Sequence, residues 1–260
     1  METVEIERRK LNLYEALFAV CFPHFNLKSK YLEWLYFGNP LGNAVGFDAM
    51  DGDILAGHYV CIPTRIGDST GLLSLNTATH PNYKSQGLFQ KLANLTYEKG
   101  SKDFSFVVGV ANSRSAGVLI NRLGFTEMGK LNLRYGELHR PIIGSKSWTE
   151  EEINWRIHSP RQPMKMKKGE NGVIELSMRP KNFPFDIKSI VRIQDGRGFK
   201  EEVVVEAKRF GFTVDWIKGV QPMIRLPEKL KPSPLVMIFQ SLDGKDIDLN
   251  SWSFPDFDAF

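Results

Sequence analysis

Between Leu72 and Tyr97 the spacing of hydrophobic positions changes once. Leu73, Leu75, Thr77 and Thr79 alternate with Ser74, Asn76, Ala78 and His80, the two-residue period of a strand. Pro81 stops the strand, because proline cannot donate to a sheet ladder. Asn82 to Gln86 is a short polar turn. Gly87 then opens a stretch in which Leu88, Phe89, Leu92, Ala93 and Leu95 recur at helical spacing, with Tyr97 near its end.

The same reading places the other elements. Leu13, Ala16, Leu17, Val20 and Cys21 predict one face of an amphipathic helix over 13–22. Asn26 is a predicted cap for a second helix, Leu27 to Phe37, in which Trp34, Leu35 and Tyr36 read as packing residues. Asn39 to Gly42 is a turn. Strands are predicted over Ala44 to Ala49 and Ile54 to Ile62, joined through the hairpin signal Asp51-Gly52. Phe104 to Val110 is a short apolar, β-branched run that reads as a buried strand. Asn112 or Ser113 can cap the next helix, which runs through Val118, Leu119 and Leu123 to Gly124 at its C-terminal end. Phe125 begins another strand.

A strand feeding a turn and a helix N-terminus is a ready anion site. The first helical N–H groups lack intrahelical partners and the helix dipole favours negative charge there. Gly87 leaves the backbone open to a ligand, and Lys84 adds positive charge. An ordinary strand–turn–helix with a glycine in its turn would satisfy the same residues.

The segment Lys84-Ser85-Gln86-Gly87-Leu88-Phe89 resembles the pyrophosphate loop of the GNAT acyltransferase superfamily, which binds coenzyme A. The family pattern is Arg or Gln, two residues, Gly, one residue, then Gly or Ala; Lys84 and Phe89 depart from it. A second segment is similar to the family's next motif: Asn112 after a buried strand, then a helix ending Leu123-Gly124-Phe125. The resemblance implies an α+β fold with a mixed, largely antiparallel sheet flanked by helices. It also implies a sheet that splays open between the strand 72–80 and the strand 104–110, where the pantetheine arm would enter. Acetyl-CoA or another acyl-CoA would then be bound by Thr77, Ala78, Thr79, Lys84, Ser85, Gln86, Gly87, Leu88, Phe89, Asn112 and Ser115, with one backbone N–H near Thr77 stabilising the thioester oxyanion. No metal is implied.

The implied reaction moves an acyl group from a coenzyme A thioester to an amine, which must be neutral to attack. In many relatives a Tyr five residues before the Gly-Phe phenylalanine protonates the leaving thiolate; here that position is Ile120. Candidates for proton handling are His80, at the end of the central strand, Asn76, on the same strand face, and His58, in the strand 54–62. Tyr135 is a further candidate acid. Each has a structural alternative: a histidine before a proline, a satisfied sheet edge, or a packed strand residue. The segment WLYFGNPLGNA resembles members that serve bacterial surface-sugar pathways, which implies a small amine acceptor, in first place an amino sugar, free or nucleotide-linked.

Composition narrows this little. The 260 residues, 42% hydrophobic, suffice for one large domain or two small ones. A net charge of +4, from 34 basic and 30 acidic residues, does not point to nucleic acid, and no basic stripe interleaved with aromatics is present. Cys21 and Cys61 form no metal or disulfide spacing, the charged N-terminus lacks a signal-peptide core, and no apolar run reaches bilayer length, so a cytoplasmic location without membrane contact is expected. Association with a second copy is left open. The expected organisation is a coenzyme A-binding domain over 1–140, a polar connecting segment over 141–184 containing Arg161, Lys165, Lys167 and Lys168, and a second α+β unit over 185–260 on the acceptor side, a degenerate GNAT-like half without the glycine loop. Two other readings remain beside the amino-sugar one: a GNAT enzyme acting on a protein or other amine, and a non-catalytic acyl-CoA-binding module.

Overall fold

A computed structural model describes residues 1–24, 27–66, 68–130, 132–137, 147–161, 163–168, 173–179, 186–193, 210–215, 224–225, 227, 235–245 and 247. In chain order the elements are β1 (Glu2–Glu5), α1 (Leu11–Cys21), α2 (Ser29–Phe37), β2 (Val45–Asp51), β3 (Ile54–Ile66), β4 (Ser69–Thr79), α3 (Leu88–Gly100), β5 (Phe106–Asn112), α4 (Ser113–Leu123) and β6 (Thr126–Lys130). Then follow β7 (Asn132–Glu137), β8 (Ser147–Trp148), α5 (Glu150–Ile157), β9 (Lys165–Lys168), β10 (Val173–Met178), β11 (Ile187–Ile193), β12 (Phe210–Asp215), β13 (Ile224–Arg225) and β14 (Leu235–Ser241).

Two compact units result, one of Met1–Met128 with Met237–Ile247, the other of Gly129–Val236 with Asp248–Phe260. The first carries a seven-stranded sheet in the order β1-β2-β3-β4-β5-β14-β6. Strands β1 to β4 are antiparallel neighbours, and β4 and β5 run parallel, joined by α3. This is the predicted fold class. In the second unit the sheet order is β13-β7-β12-β11-β10-β9, with β8 beside β11.

Strand β3 organises the first core. Its residues 55–63 are all buried, because both faces are covered. Gly57 and Tyr59 face α3: a Cβ on Gly57 would sit 3.2 Å from Leu92, and the Tyr59 ring meets Phe89 and Tyr97 edge-on. His58 faces the opposite way, against Tyr14 and Phe18 of α1 and Tyr36 of α2. Strand β14 enters the sheet between β5 and β6 from far along the chain. Its Phe239 stacks on Phe106, and the Leu242 amide donates to the Ser105 carbonyl at 2.8 Å.

Several elements differ from expectation. Helix α1 buries Tyr14, Leu17 and Phe18, whereas Leu13 and Val20 are exposed. Two stripes of helical period overlap in this sequence, and the one carrying the larger aromatics goes inward. Helix α2 starts at Ser29 and is capped by another helix: the Glu15 carboxylate accepts from the Ser29 amide at 2.7 Å. Asn26, the expected cap, lies outside the described residues. Strand β1 was not foreseen; it pairs Glu2 to Glu5 with the edge of β2. The stretch expected as a polar connection holds α5, β9 and β10. Thr149 and Glu152 form a capping box that starts α5, and Lys165 to Lys168 pair with β10. The grouping into units also departs from the expected division, since β14 joins the first sheet while 141–184 belongs with the second unit. The apolar runs at 187–193, 211–217 and 235–240 predict strands, and β11, β12 and β14 fall on them. Asp195 to Gly198, a predicted turn, and Trp252, Phe254 and Phe257, predicted to pack against the domain, lie outside the described residues.

Candidate functional site

The parallel pairing of β4 with β5 covers three residue pairs, Leu72 with Val107, Leu73 with Val108 and Ser74 with Gly109. Strand β4 continues to Thr79 and β5 to Asn112 without further pairing between them. The sheet therefore splays beyond Ser74, as the sequence resemblance implied. A bulge sits at the same place. His58 pairs with Ala78 and Val60 with Leu75, so Asn76 and Thr77 stand opposite the single residue Tyr59. Asn76 takes a left-handed backbone, φ 48°. Of the expected thioester-binding residues, Thr77 and Thr79 are half-buried and Ala78 is buried. The Thr79 carbonyl accepts from the Cys21 thiol at 3.3 Å, so that carbonyl is engaged by α1.

The turn beyond β4 is firmly held at its start. The His80 amide donates to the Ala56 carbonyl at 2.9 Å, and Nδ1 of His80 accepts from the Asn82 amide at 3.3 Å. Its ring meets Tyr83 edge-on, and the Tyr83 hydroxyl donates to Asp51 at 2.8 Å, tying the turn to the β2–β3 hairpin. His80 thus has a structural task as the cap of this turn.

Lys84, Ser85, Gln86 and Gly87 follow, all exposed. Ser85 and Gly87 have positive φ, 63° and 72°. A serine in this region costs roughly 1–2 kcal/mol, strain of a kind that collects at ligand loops. No side chain caps α3, so its first N–H groups point outward beside a residue without a Cβ. A Cβ built on Gly87 would meet nothing within 4 Å, so the backbone conformation, and not crowding, calls for glycine. Leu88 is buried and Phe89 half-buried, anchoring the helix start against β3. An uncapped helix N-terminus, open backbone and Lys84 form a cradle suited to a pyrophosphate.

Across the gap, Asn112 ends β5 and caps α4: its Oδ1 accepts from the Ser115 amide at 3.1 Å. Ser115 also returns its hydroxyl to Asn112. Gly124 has φ 74°, and the Phe125 amide closes back on the Leu119 carbonyl at 3.2 Å. Phe125 is buried against Tyr97. Ile120 is half-buried, and Tyr135 is exposed on β7 in the other unit.

His58 is wholly buried, and so are its polar partners. Nδ1 of His58 lies 2.7 Å from Oδ1 of Asp48 on β2, and Nε2 lies 3.3 Å from the Tyr36 hydroxyl. Oδ2 of Asp48 accepts from the Tyr14 hydroxyl at 2.9 Å and from Lys10 Nζ at 3.3 Å. The Tyr14 hydroxyl in turn accepts from the Glu7 amide at 2.9 Å. Burial pushes the Tyr14 and Tyr36 hydroxyls well above the usual phenol range; for Tyr36 the adjoining Asn76 amide works against that rise. Both therefore keep their protons at neutral pH. Nδ2 of Asn76 is buried without a hydrogen-bond partner. Sequence reasoning singled out His58 and Asn76 but missed Tyr36, Asp48 and Tyr14. A signal existed: Asp48 sits between Phe47 and Ala49 in an apolar strand, where a carboxylate must find partners.

Among the described residues no group of three His, Cys, Asp or Glu side chains could hold a metal ion, and no helix is long and apolar enough to cross a membrane.

No family model and no curated protein matches the sequence. Solved structures do. A GCN5-related N-acetyltransferase from Anabaena variabilis aligns over 93% of this chain and 72% of its own, at 10% identity and a TM-score of 0.58. A GCN5-related N-acetyltransferase from Kribbella flavida aligns over 74% of this chain and 57% of its own, at 11% identity and a TM-score of 0.51. At such identities the likeness establishes the fold: this chain has that of the GNAT N-acetyltransferases.

Proposed function

We propose that a chain with this fold works as an N-acyltransferase, moving an acyl group from acyl-coenzyme A, acetyl-CoA in the simplest case, to an amine. The observation that carries the reading is the succession of three features along the chain: the β4–β5 splay, the bulge at Asn76 and Thr77, and the uncapped N-terminus of α3 behind Gly87. A pyrophosphate on the α3 cradle would send its pantetheine arm toward the gap, where unpaired β4 backbone is available to it. Gln86, Gly87, Leu88 and Phe89 would offer backbone, Lys84 and Ser85 polar side chains, and Asn112 with Ser115 would border the arm from β5.

For the acceptor we propose a small amine, in first place the amino group of a free or nucleotide-linked amino sugar used in surface polysaccharide synthesis in the cytoplasm. This finer reading rests on the resemblance of the segment 34–44 alone, since fold does not fix substrate. The test is release of coenzyme A thiol from acetyl-CoA across a panel of amino sugars, their nucleotide-linked forms, peptide N-termini and lysine. Turnover on amino sugars supports the full reading. Turnover on peptides only retains the reaction and replaces the acceptor. Absence of turnover on every amine overturns the acyltransferase.

One observation favours a second reading. Ile120 stands where many relatives carry the acid that protonates the leaving thiolate. A non-catalytic acyl-CoA-binding module would need no such acid, and it would bind acetyl-CoA without acetylating any amine.

A further inference from the structure

Four polar side chains of the first unit follow one another across the strands. Asp48 on β2 and His58 on β3 are register partners, Tyr36 reaches His58 from α2, and Asn76 adjoins Tyr36 from the bulge of β4. The succession ends at the strand beside the gap. Its direction of hydrogen bonding follows from its partners. The Tyr14 hydroxyl accepts from Glu7, so its own proton goes to Asp48, which also holds Lys10. Asp48 is thus a carboxylate, and Nδ1 of His58 is the donor to it. Nε2 of His58 is then left to accept the Tyr36 proton. Asn76 adjoins Tyr36 there, its Nδ2 buried and short of hydrogen-bond contact with the phenol.

We infer that Tyr36, His58 and Asp48 form the proton relay that deprotonates the acceptor amine, with Asn76 covering its outer end. This rests on the acyltransferase reading above. Tyr36 is wholly covered in the free protein, and Asn76 is half-buried with its inner end against it. The amine reaches the Tyr36 oxygen only when the Asn76 side chain, its cover on the β4 side, swings aside. In the step itself the amine nitrogen bonds to the thioester carbonyl carbon. As its N–H bond breaks, the proton goes to the Tyr36 oxygen, while the Tyr36 proton passes to Nε2 of His58. The C–S bond then breaks, and the thiolate takes the proton back through the same route, leaving amide and free thiol. Asp48 holds the ring in the required tautomer and stabilises the imidazolium, a division of labour like that of a hydrolase triad. The relay also returns a proton to sulfur, which an isoleucine at 120 cannot do.

The groups facing His58 are Tyr14 from α1, Tyr36 from α2 and Asp48 from β2, with Lys10 behind Asp48; β4 presents only neutral side chains. The test has two arms. Nitrogen-15 NMR of the imidazole in the free protein is expected to show the neutral ring protonated at Nδ1; protonation at Nε2 overturns the relay whatever the acceptor. In the second arm, Tyr36→Phe is compared with wild type on the best amine of the panel. Turnover is expected to fall ~10²–10⁴-fold with the KM for acetyl-CoA unchanged. The pH–rate profile is expected to depart from that of the wild type, turnover rising with pH toward the pKa of the free amine. His58→Gln keeps a polar side chain against Asp48 but accepts no proton, and should give the same loss. Wild-type turnover and profile in both variants would make the network structural and leave the acyltransferase standing. Acetyl-CoA binding with no amine acetylated by the wild type would overturn both.

Discussion

Glu15 shows how one residue can hold two helices together. Its carboxylate accepts from the Ser29 amide and hydroxyl, both at 2.7 Å, and from Lys28 at 2.9 Å. These bonds, the Ser29 hydroxyl first, pull its pKa down from 4.5 to about 2. A carboxyl whose pKa is depressed on folding stabilises the protein above its unfolded pKa and loses that effect as pH falls through the folded value. Glu15→Gln is therefore expected to lower stability at pH 7 by on the order of 1 kcal/mol, since the site is partly solvated. Thermal melts should show the difference from wild type shrinking between about pH 4.5 and pH 2; a constant difference would mean the charge does not matter. At Gly87 the argument is conformational: any L side chain at φ 72° is strained, and a carboxylate there also occupies the proposed anion cradle.

At the scale of elements, period was legible and partnership was not. The strand–turn–helix of 72–97 was readable because its alternation, its proline and its glycine are all local signals. The inward face of α1 was not, because Leu13 and Tyr14 head two equally periodic stripes and the choice is made by Asp48 and His58, far off in sequence. The start of α5 carried its own signal in Thr149 and Glu152, yet charge and flanking prolines made the stretch read as a loop. Gly71 records a partnership of the same non-local kind. A Cβ there would lie 2.2 Å from the Phe106 ring, which is itself held by Phe239 of β14. Gly71→Ala is expected to cost about 1–3 kcal/mol or more of stability, read as a lower urea midpoint at unchanged slope. An unaltered midpoint would mean that the β4–β5 contact is looser than the structure has it.

At the scale of the molecule, the first unit borrows β14 from the far C-terminal part of the chain, between β5 and β6. No local pattern announces such a pairing, which is why residues 185–260 read as one separate unit in sequence. A fragment of residues 1–130 should therefore expose the edge of β5 and aggregate, whereas a soluble, cooperative fragment would show β14 to be dispensable. The central claim concerns the groove that this sheet opens between β4 and β5. Its most direct test is calorimetric titration of the whole protein and of Gly87→Glu with acetyl-CoA. The account expects micromolar or tighter binding by the wild type, abolished in a variant that melts as a folded protein. Equal binding by both would put the site elsewhere, and no binding by the folded wild type would reduce residues 72–97 to a structural strand–turn–helix.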